Sequence, residues 1–228
     1  MSSNPNISPV NPLPPVVIAL ALVIFGVEAA QYLMKLGLLG GTAGIDSRIG
    51  IIRDYGISGH LINRMFEMGR YPTEHLLRFV TYAFIHVSFT HMIFACVLFL
   101  ALGKFVGEIF KWWAVLLVFF ASSIVGAVVY GLFIDSSVAL VGAYPAVYGM
   151  IGAFTFLLWV DLARHGSNKY RAFTLIGFLL FIQLIFGVLF GGGPDWIADV
   201  AGFVTGFLLS FVISPGGWSR ALRQLRRR

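Results

Sequence analysis

Residues 141–153 read VGAYPAVYGMIGA, an apolar stretch in which small residues recur every few positions. Small residues on one side of a membrane helix let the backbone of a neighbouring helix approach closely. The stretch therefore predicts a tightly packed helix. The dipeptide Tyr144-Pro145 stands out, because a bulky phenol and a ring-locked backbone are unusual in a segment built for close contact.

The composition of the whole chain indicates a membrane protein. Of its 228 residues, 58% are hydrophobic and only 11% are charged. A soluble domain is about half apolar and about a quarter charged, and one core of this size could not bury the excess. The single cysteine, Cys96, excludes a disulfide within the chain.

Six apolar segments are long enough to cross a bilayer, for which about 20 residues are needed. We predict spans at residues 13–34, 84–103, 112–134, 139–160, 172–191 and 195–214. The first segment resembles a signal peptide near VEA-A, but it has no Lys or Arg before its apolar run, so we interpret it as a retained helix.

The positive charges predict the orientation. Lys and Arg lie between spans two and three, between spans four and five, and in the basic tail 215–228, whereas the other two short loops carry none. By the positive-inside rule both termini, including segment 1–12, face the cytoplasm. The net charge of +6 then serves topology and lipid contact, and we do not expect nucleic-acid binding.

The connection at residues 35–81 is predicted to lie outside, since long loops escape that rule. Within it, HLINRMFEMGR places Met65 and Phe66 on one apolar helical face. This face could lie flat in the membrane interface, where it would be a candidate contact for partners, or pack on the rest of the protein. Glu28 is expected to face the bundle or to lie near the outer membrane interface, and its position close to the end of span one favours the interface.

Three further motifs accompany the opening stretch in a fixed order. The first precedes and enters span two and holds Arg78, Thr81, His86 and His91. The second, LGKFVGEIF at 102–110, closes that span, and the third, ADVAGFVTGF at 198–207, lies in span six. Together, over residues 72–210, they resemble the rhomboid family of intramembrane serine proteases. The resemblance implies an all-α membrane domain (13–214), a six-helix bundle with a long external loop between helices 1 and 2.

Four positions depart from the rhomboid pattern. The resemblance implies a nucleophilic Ser where this chain has Tyr144, a Gly at Pro145, a catalytic His at Asp199 and an oxyanion-stabilising Asn at Ala95. His91 matches the other side-chain oxyanion position. The remaining motif residues keep the pattern, and we interpret the glycines as sites of close helix contact: Gly142, Gly149, Gly152, Gly202 and Gly206.

These departures remove the chemistry of a serine protease. A phenol, with a pKa near 10, is a poor nucleophile toward amides, and a carboxyl group, with a reference pKa near 4, is a weak base at pH 7. Proline has no N–H to donate to an oxyanion. We expect the Tyr144 phenol to donate instead to Asp199 or His91, with Pro145 in the first helical turn, where proline is tolerated.

Two other sites for chemistry receive little support. Ser122 and Ser123 lie mid-span, where hydroxyl groups usually bond back to their own helix. A metal site from His86, His91 and Asp199 is disfavoured, because two residues five apart lie about 140° apart around a helix. We expect no metal and no cofactor.

The sequence thus predicts a pseudoprotease that binds transmembrane helices of other membrane proteins without cleaving them, in an adaptor, quality-control or assembly role. Two alternatives stay open: an accessory subunit of a larger membrane complex, and a protease with an atypical site. We expect a multi-pass plasma-membrane protein of the bacterial inner-membrane type, with the lipid bilayer as its other partner.

Overall fold

The computed structural model describes residues 12–39, 47–190 and 193–214. The expectations for segment 1–11 and for the basic tail 215–228 lie outside the described residues. In chain order the elements are α1 (Pro15–Lys35), α2 (Ser47–Tyr55), β1 (Ile57–Ser58), α3 (Gly59–Met68), α4 (Thr73–Thr81), α5 (Phe89–Ile109), α6 (Trp112–Phe133), β2 (Ala139–Leu140), α7 (Tyr144–Arg164), α8 (Thr174–Phe190) and α9 (Trp196–Ile213). Short 3₁₀ helices at Tyr82–Phe84 and Lys169–Phe173 precede α5 and α8.

Among the described residues, five helices are long and apolar enough to cross a membrane, namely α1, α5, α6, α7 and α9. Large apolar side chains cover the outside of the bundle, where a soluble protein would present charges. This confirms a multi-pass, predominantly helical membrane protein in contact with the lipid bilayer. The sixth predicted span corresponds to α9, and the fifth to α8, an apolar helix of 17 residues.

The second predicted span, residues 84–103, has wrong boundaries. Its helix, α5, begins at Phe89, because Ser88 has an extended backbone and its hydroxyl caps the helix by accepting the His91 N–H at 3.1 Å. The helix then continues past Lys104 to Ile109. A lysine can keep its stem on the apolar surface while its ammonium reaches water, so this charge does not end the helix.

The fourth predicted span also begins too early. Residues 139 and 140 form β2, which pairs antiparallel with β1 in the register Ile57↔Leu140 and Ser58↔Ala139. The helix α7 starts only at Tyr144, with Pro145 in its first turn. The strand pair ties the connection between α1 and α5 to the segment that leads into α7.

The helices α7 and α9 lie parallel at the centre of the fold and approach closely. A Cβ on Gly202 would overlap the carbonyl oxygen of Pro145, and a Cβ on Gly206, four residues on, would overlap the carbonyl oxygen of Gly149. A step of four residues along α9 therefore corresponds to a step of four residues in the same direction along α7, which shows that the two helices are parallel. Only a residue without a side chain fits at Gly202 and Gly206.

The amphipathic segment predicted at residues 60–70 forms α3, which packs on the protein. Ile62 is fully buried, and a Cβ on Gly131 of α6 would contact its side chain. Met65 is only 4% exposed, so its interpretation as a partner contact is wrong, because the side chain is already used inside the fold. Phe66 is 52% exposed and stays a candidate contact.

Candidate functional site

The turn before α7 is held by a backbone hydrogen bond to the segment that leads into α5. Gly142 has φ +110°, donates its N–H to the Tyr82 carbonyl at 2.9 Å, and lies against the His91 ring. A side chain there would be strained by the backbone conformation and would meet the imidazole. The turn therefore requires this glycine, whereas its sequence pattern predicted a contact between helices.

Tyr144, the first residue of α7, stacks on His91. The ring centroids are 4.7 Å apart and the ring planes differ by 18°. The expected hydrogen bond from the phenol to Asp199 or His91 is absent from the bonds of the described residues, so that expectation is wrong. In a stacked pair the phenol O–H lies in its own ring plane and is not directed at the facing imidazole nitrogens.

Asp199 lies in the first turn of α9 and is 3% exposed. Its Oδ2 accepts a hydrogen bond from the Gln183 Nε2 at 2.9 Å. The Gln183 Oε1 in turn accepts from the Tyr148 hydroxyl at 3.2 Å. A polar chain thus runs from α7 through α8 to α9, with the only described amide of α8 at its centre.

The positions of Tyr144 and Asp199 belong to one region of the bundle. A Cβ on Gly126 of α6 would contact both the Pro145 side chain and the Ala198 carbonyl oxygen. The first turns of α7 and α9 therefore meet at Gly126 of α6. Tyr144 is adjacent in sequence to Pro145, and Asp199 is adjacent to Ala198. This is the juxtaposition that the rhomboid resemblance implies.

His86 is completely buried and supports the turn before α7. Its Nε2 accepts the Ala143 N–H at 3.3 Å. Burial, followed by the neighbouring His91, lowers the pKa of His86 to about 3. The ring is therefore neutral at pH 7 and serves as a hydrogen-bond acceptor for the backbone.

The two histidines of the second-span motif lie side by side, with ring centroids 5.4 Å apart. The prediction that they would diverge around a helix is wrong, because His86 precedes α5 and only His91 lies within it. Within the described ranges, no group of three or more His, Cys, Asp or Glu side chains could hold a metal ion. Ala95, at the position implied for an Asn, is fully buried in the apolar core.

Arg78 and Thr81 anchor the connection between α1 and α5. Arg78 Nη1 donates to the carbonyl oxygens of Arg53 and Gly56, at 2.7 Å and 3.3 Å. The Thr81 hydroxyl donates to the Tyr55 carbonyl at 3.1 Å. Their spacing of three residues puts both side chains on one side of α4, facing the end of α2.

Glu28 lies inside the bundle and not at an exposed interface. It is 2% exposed and its Oε1 accepts from Arg48 Nη2 at 2.5 Å. Arg48 also donates to the His86 carbonyl at 2.7 Å. Of the two expected positions the structure has the one inside the bundle, and the interface was wrongly favoured because the sequence does not show that the connection after α1 brings Arg48 back to Glu28.

Ser123 bonds back to its own helix as expected, with its hydroxyl donating to the Phe119 carbonyl at 2.9 Å. Ser122 is buried against Gly149, and its hydroxyl has no hydrogen-bond partner among the described residues. Neither hydroxyl is hydrogen-bonded to a histidine or a carboxylate that could take its proton.

Sequence reasoning missed Gln183, Tyr148 and Arg48. Gln183 had a signal, since a polar side chain within an apolar helix is expensive and usually has a partner inside the bundle. Arg48 could not be found from a sequence pattern, because its partners Glu28 and His86 are 20 and 38 residues away in sequence.

Comparison with known proteins agrees with this architecture. The sequence profile of the Rhomboid domain matches residues 73–216, more than half of the chain. RHOMBOID-like protein 4 of Arabidopsis thaliana is 28% identical over 136 residues, which is 60% of this chain and 34% of the relative. The chain thus spans about a third of the length of the curated relative that it matches. The four motifs, the parallel pair α7 and α9 and the matched domain all agree, and the chain belongs to the rhomboid family.

Proposed function

We propose that this protein is a catalytically inactive rhomboid that binds the transmembrane segments of other membrane proteins without cleaving them. One observation carries the proposal: the Tyr144 ring is stacked on His91 at 4.7 Å, in the place where a rhomboid needs a free serine hydroxyl. The ring fills the space beside the imidazole, and among the described residues its phenol donates no hydrogen bond to a base.

Asp199, at the position implied for the catalytic histidine, supports the same conclusion. A general base must reach the proton that it removes, at about 2.6–3.2 Å or through one water. The Asp199 carboxylate is hydrogen-bonded to Gln183 instead. Two groups that could stabilise an oxyanion are also replaced, because Pro145 has no N–H and Ala95 has no polar side chain.

The chain is proposed to cross the membrane six times. Because α7 and α9 are parallel, the chain must return along the bundle between Arg164 and Trp196 before α9 can begin. The helix α8 is about 26 Å long at 1.5 Å per residue, close to the hydrocarbon thickness of about 30 Å. With six spans both termini lie on one side, which the basic loops place in the cytoplasm.

We place the client contact along α8. Among its described residues only Ile176 is buried, and its outer face presents large apolar side chains. Phe178 and Phe181 are each 59% exposed, and Leu184 is 64% exposed. A helix with so little buried surface can adjust to a second transmembrane helix at modest energetic cost.

Catalysis is tested with the purified full-length chain. We expect neither labelling by a fluorophosphonate probe nor cleavage of a transmembrane substrate panel by the wild type. The double variant Tyr144→Ser, Asp199→His should also stay inactive, because Pro145 and Ala95 are unchanged. Cleavage by the wild type that disappears in Tyr144→Phe would show a catalytic phenol and overturn the proposal.

Client binding is tested by photo-crosslinking in native membranes. A benzophenone amino acid at Phe181 should crosslink to several membrane proteins. The same group at Leu22, which is 64% exposed on α1, is the matched control and should not. Equal crosslinking at both positions would refute the placement, and one stoichiometric companion would favour a fixed subunit over an adaptor.

A further inference from the structure

A cavity lies away from the Tyr144 site. It has a volume of about 610 Å³ and lies between α1, α2 and the segment that joins α4 to α5. Most of its wall is apolar, with Val23, Val27 and Met34 of α1 on one side and Ile51 of α2 on another. The volume falls within the range of about 300–1,000 Å³ that small-molecule sites occupy.

One buried side chain in the cavity wall has no hydrogen-bond partner among the described residues. Gln31 of α1 is 3% exposed and lines the wall. Within the described residues, neither its Oε1 nor its Nε2 has a hydrogen-bond partner. Buried polar side chains are hydrogen-bonded in the large majority of cases, so this amide indicates a ligand that both accepts and donates a hydrogen bond.

The shape of the cavity matches one acyl chain. Val23 and Met34 are eleven residues apart on α1, a distance of about 16 Å along the helix. One leaflet of the hydrocarbon core is about 15 Å deep, half of the full thickness. Asp54 and Tyr55 of α2 also line the cavity, so its largely apolar wall carries polar groups besides Gln31.

A client helix is excluded from this cavity by its size. A helix is about 10–12 Å across with its side chains, so a 16 Å length of it occupies about 1,300–1,800 Å³. That is more than the cavity can hold. An acyl chain is far thinner and can enter sideways at Val23, which is 50% exposed on the bundle surface.

We propose that this cavity binds one acyl chain of a membrane lipid whose backbone carries a carbonyl oxygen and a hydroxyl group. The Gln31 Nε2 donates to the carbonyl and the Oε1 accepts from the hydroxyl, while the chain lies along Val27 and Val23. This site is separate from the proposed client contact on α8, and it does not depend on whether the protein is inactive.

The probe is 1-monooleoylglycerol, which has one acyl chain, an ester carbonyl and free hydroxyls. The delipidated full-length protein in detergent is titrated with it, and the thermal transition is followed. We expect a rise that saturates with lipid concentration. Methyl oleate, which lacks the hydroxyl, should bind about tenfold more weakly, since it leaves the Gln31 oxygen without a donor.

Two variants and a control locate the site. Val27→Trp fills the cavity and should abolish the shift, whereas Leu22→Trp adds the same ring on the exposed side of α1 and should leave it unchanged. Gln31→Leu should weaken the monoolein response at least tenfold, and it should raise the transition of the lipid-free protein, because an unpartnered amide is removed.

Three outcomes overturn the proposal. Equal lipid responses of Val27→Trp and Leu22→Trp would place binding elsewhere. An unchanged response of Gln31→Leu would show that the amide does not contact the lipid. A lower transition of lipid-free Gln31→Leu would mean that Gln31 already has a partner within the protein.

Discussion

Gln183→Leu is the change that tests the polar chain across α7, α8 and α9 most directly. Leucine keeps nearly the same volume, so apolar contacts of α8 persist while both hydrogen bonds of the amide are lost. The Tyr148 hydroxyl then has no acceptor and the Asp199 carboxyl has no donor. We expect the helix α8 to separate more easily from α7 and α9.

The expected loss is about 2–3 kcal/mol of unfolding free energy. Hydrogen bonds between membrane helices contribute about 0.6 kcal/mol on average and up to about 1.7 kcal/mol. Two average bonds would give about 1 kcal/mol, but Asp199 is 3% exposed and a buried group left unpartnered costs about 1–3 kcal/mol by itself. The stranded Asp199 therefore dominates the effect.

The assay is reversible unfolding in mixed micelles with increasing denaturing detergent. Leu184→Ala, at the exposed neighbouring position of α8, is the matched control and should change stability by no more than about 0.5 kcal/mol. Adding Asp199→Leu to Gln183→Leu should recover at least half of the loss, because it removes the stranded carboxyl. A Gln183→Leu protein as stable as the wild type, or a double variant less stable than the single one, would refute this account.

Three further predictions use the same assay. Gly206→Ala should lose about 1–3 kcal/mol, because its Cβ meets the backbone of α7, whereas Gly177→Ala, with open space around it, should be neutral or slightly stabilising. Arg48→Met should lose about 3–5 kcal/mol by leaving the buried Glu28 unpaired, and Glu28→Gln should recover part of this in the double variant; equal losses in both would contradict the pairing. Because burial lowers the pKa of His86 from 6.5 to about 3, the stability contributed by its neutral ring is complete above pH 6.5 and lost as the pH falls toward 3. Between pH 7 and pH 4.5 this amounts to about 2–3 kcal/mol, and His86→Gln should flatten that part of the pH profile.

The long helices could be predicted from the sequence, and their ends could not. An apolar run of about 20 residues identifies a span because lipid offers no hydrogen bonds to any other backbone structure except a closed barrel. The end of a helix depends on local partners instead. Because of the Ser88 cap and the strand pair at Leu140, α5 and α7 each begin five residues later than predicted. Neither feature changes the mean hydropathy of its segment.

For the candidate site, the region was predicted and the contacts within it were not. The motif order placed Tyr144, Asp199 and His91 together, because each motif is tied to a span. The hydrogen bond that Gln183 donates to Asp199 joins residues on different helices, and it depends on how α8 lies beside α9. The stacking of Tyr144 on His91 likewise depends on the turn at Gly142, a residue that the sequence pattern assigned to a helix contact.

Different constraints act on the motif positions that match the rhomboid pattern and on those that depart from it. At Gly202 and Gly206 the limit is steric, since the carbonyl oxygens of α7 occupy the space of any Cβ. Such a limit holds whether or not the protein cuts a peptide bond. At Tyr144 and Asp199 the rhomboid pattern demands a hydroxyl and an imidazole for chemistry alone, and the fold accepts a stacked ring and a hydrogen-bonded carboxyl in their place. The fold therefore stays closely packed with these two side chains, which add contacts between helices.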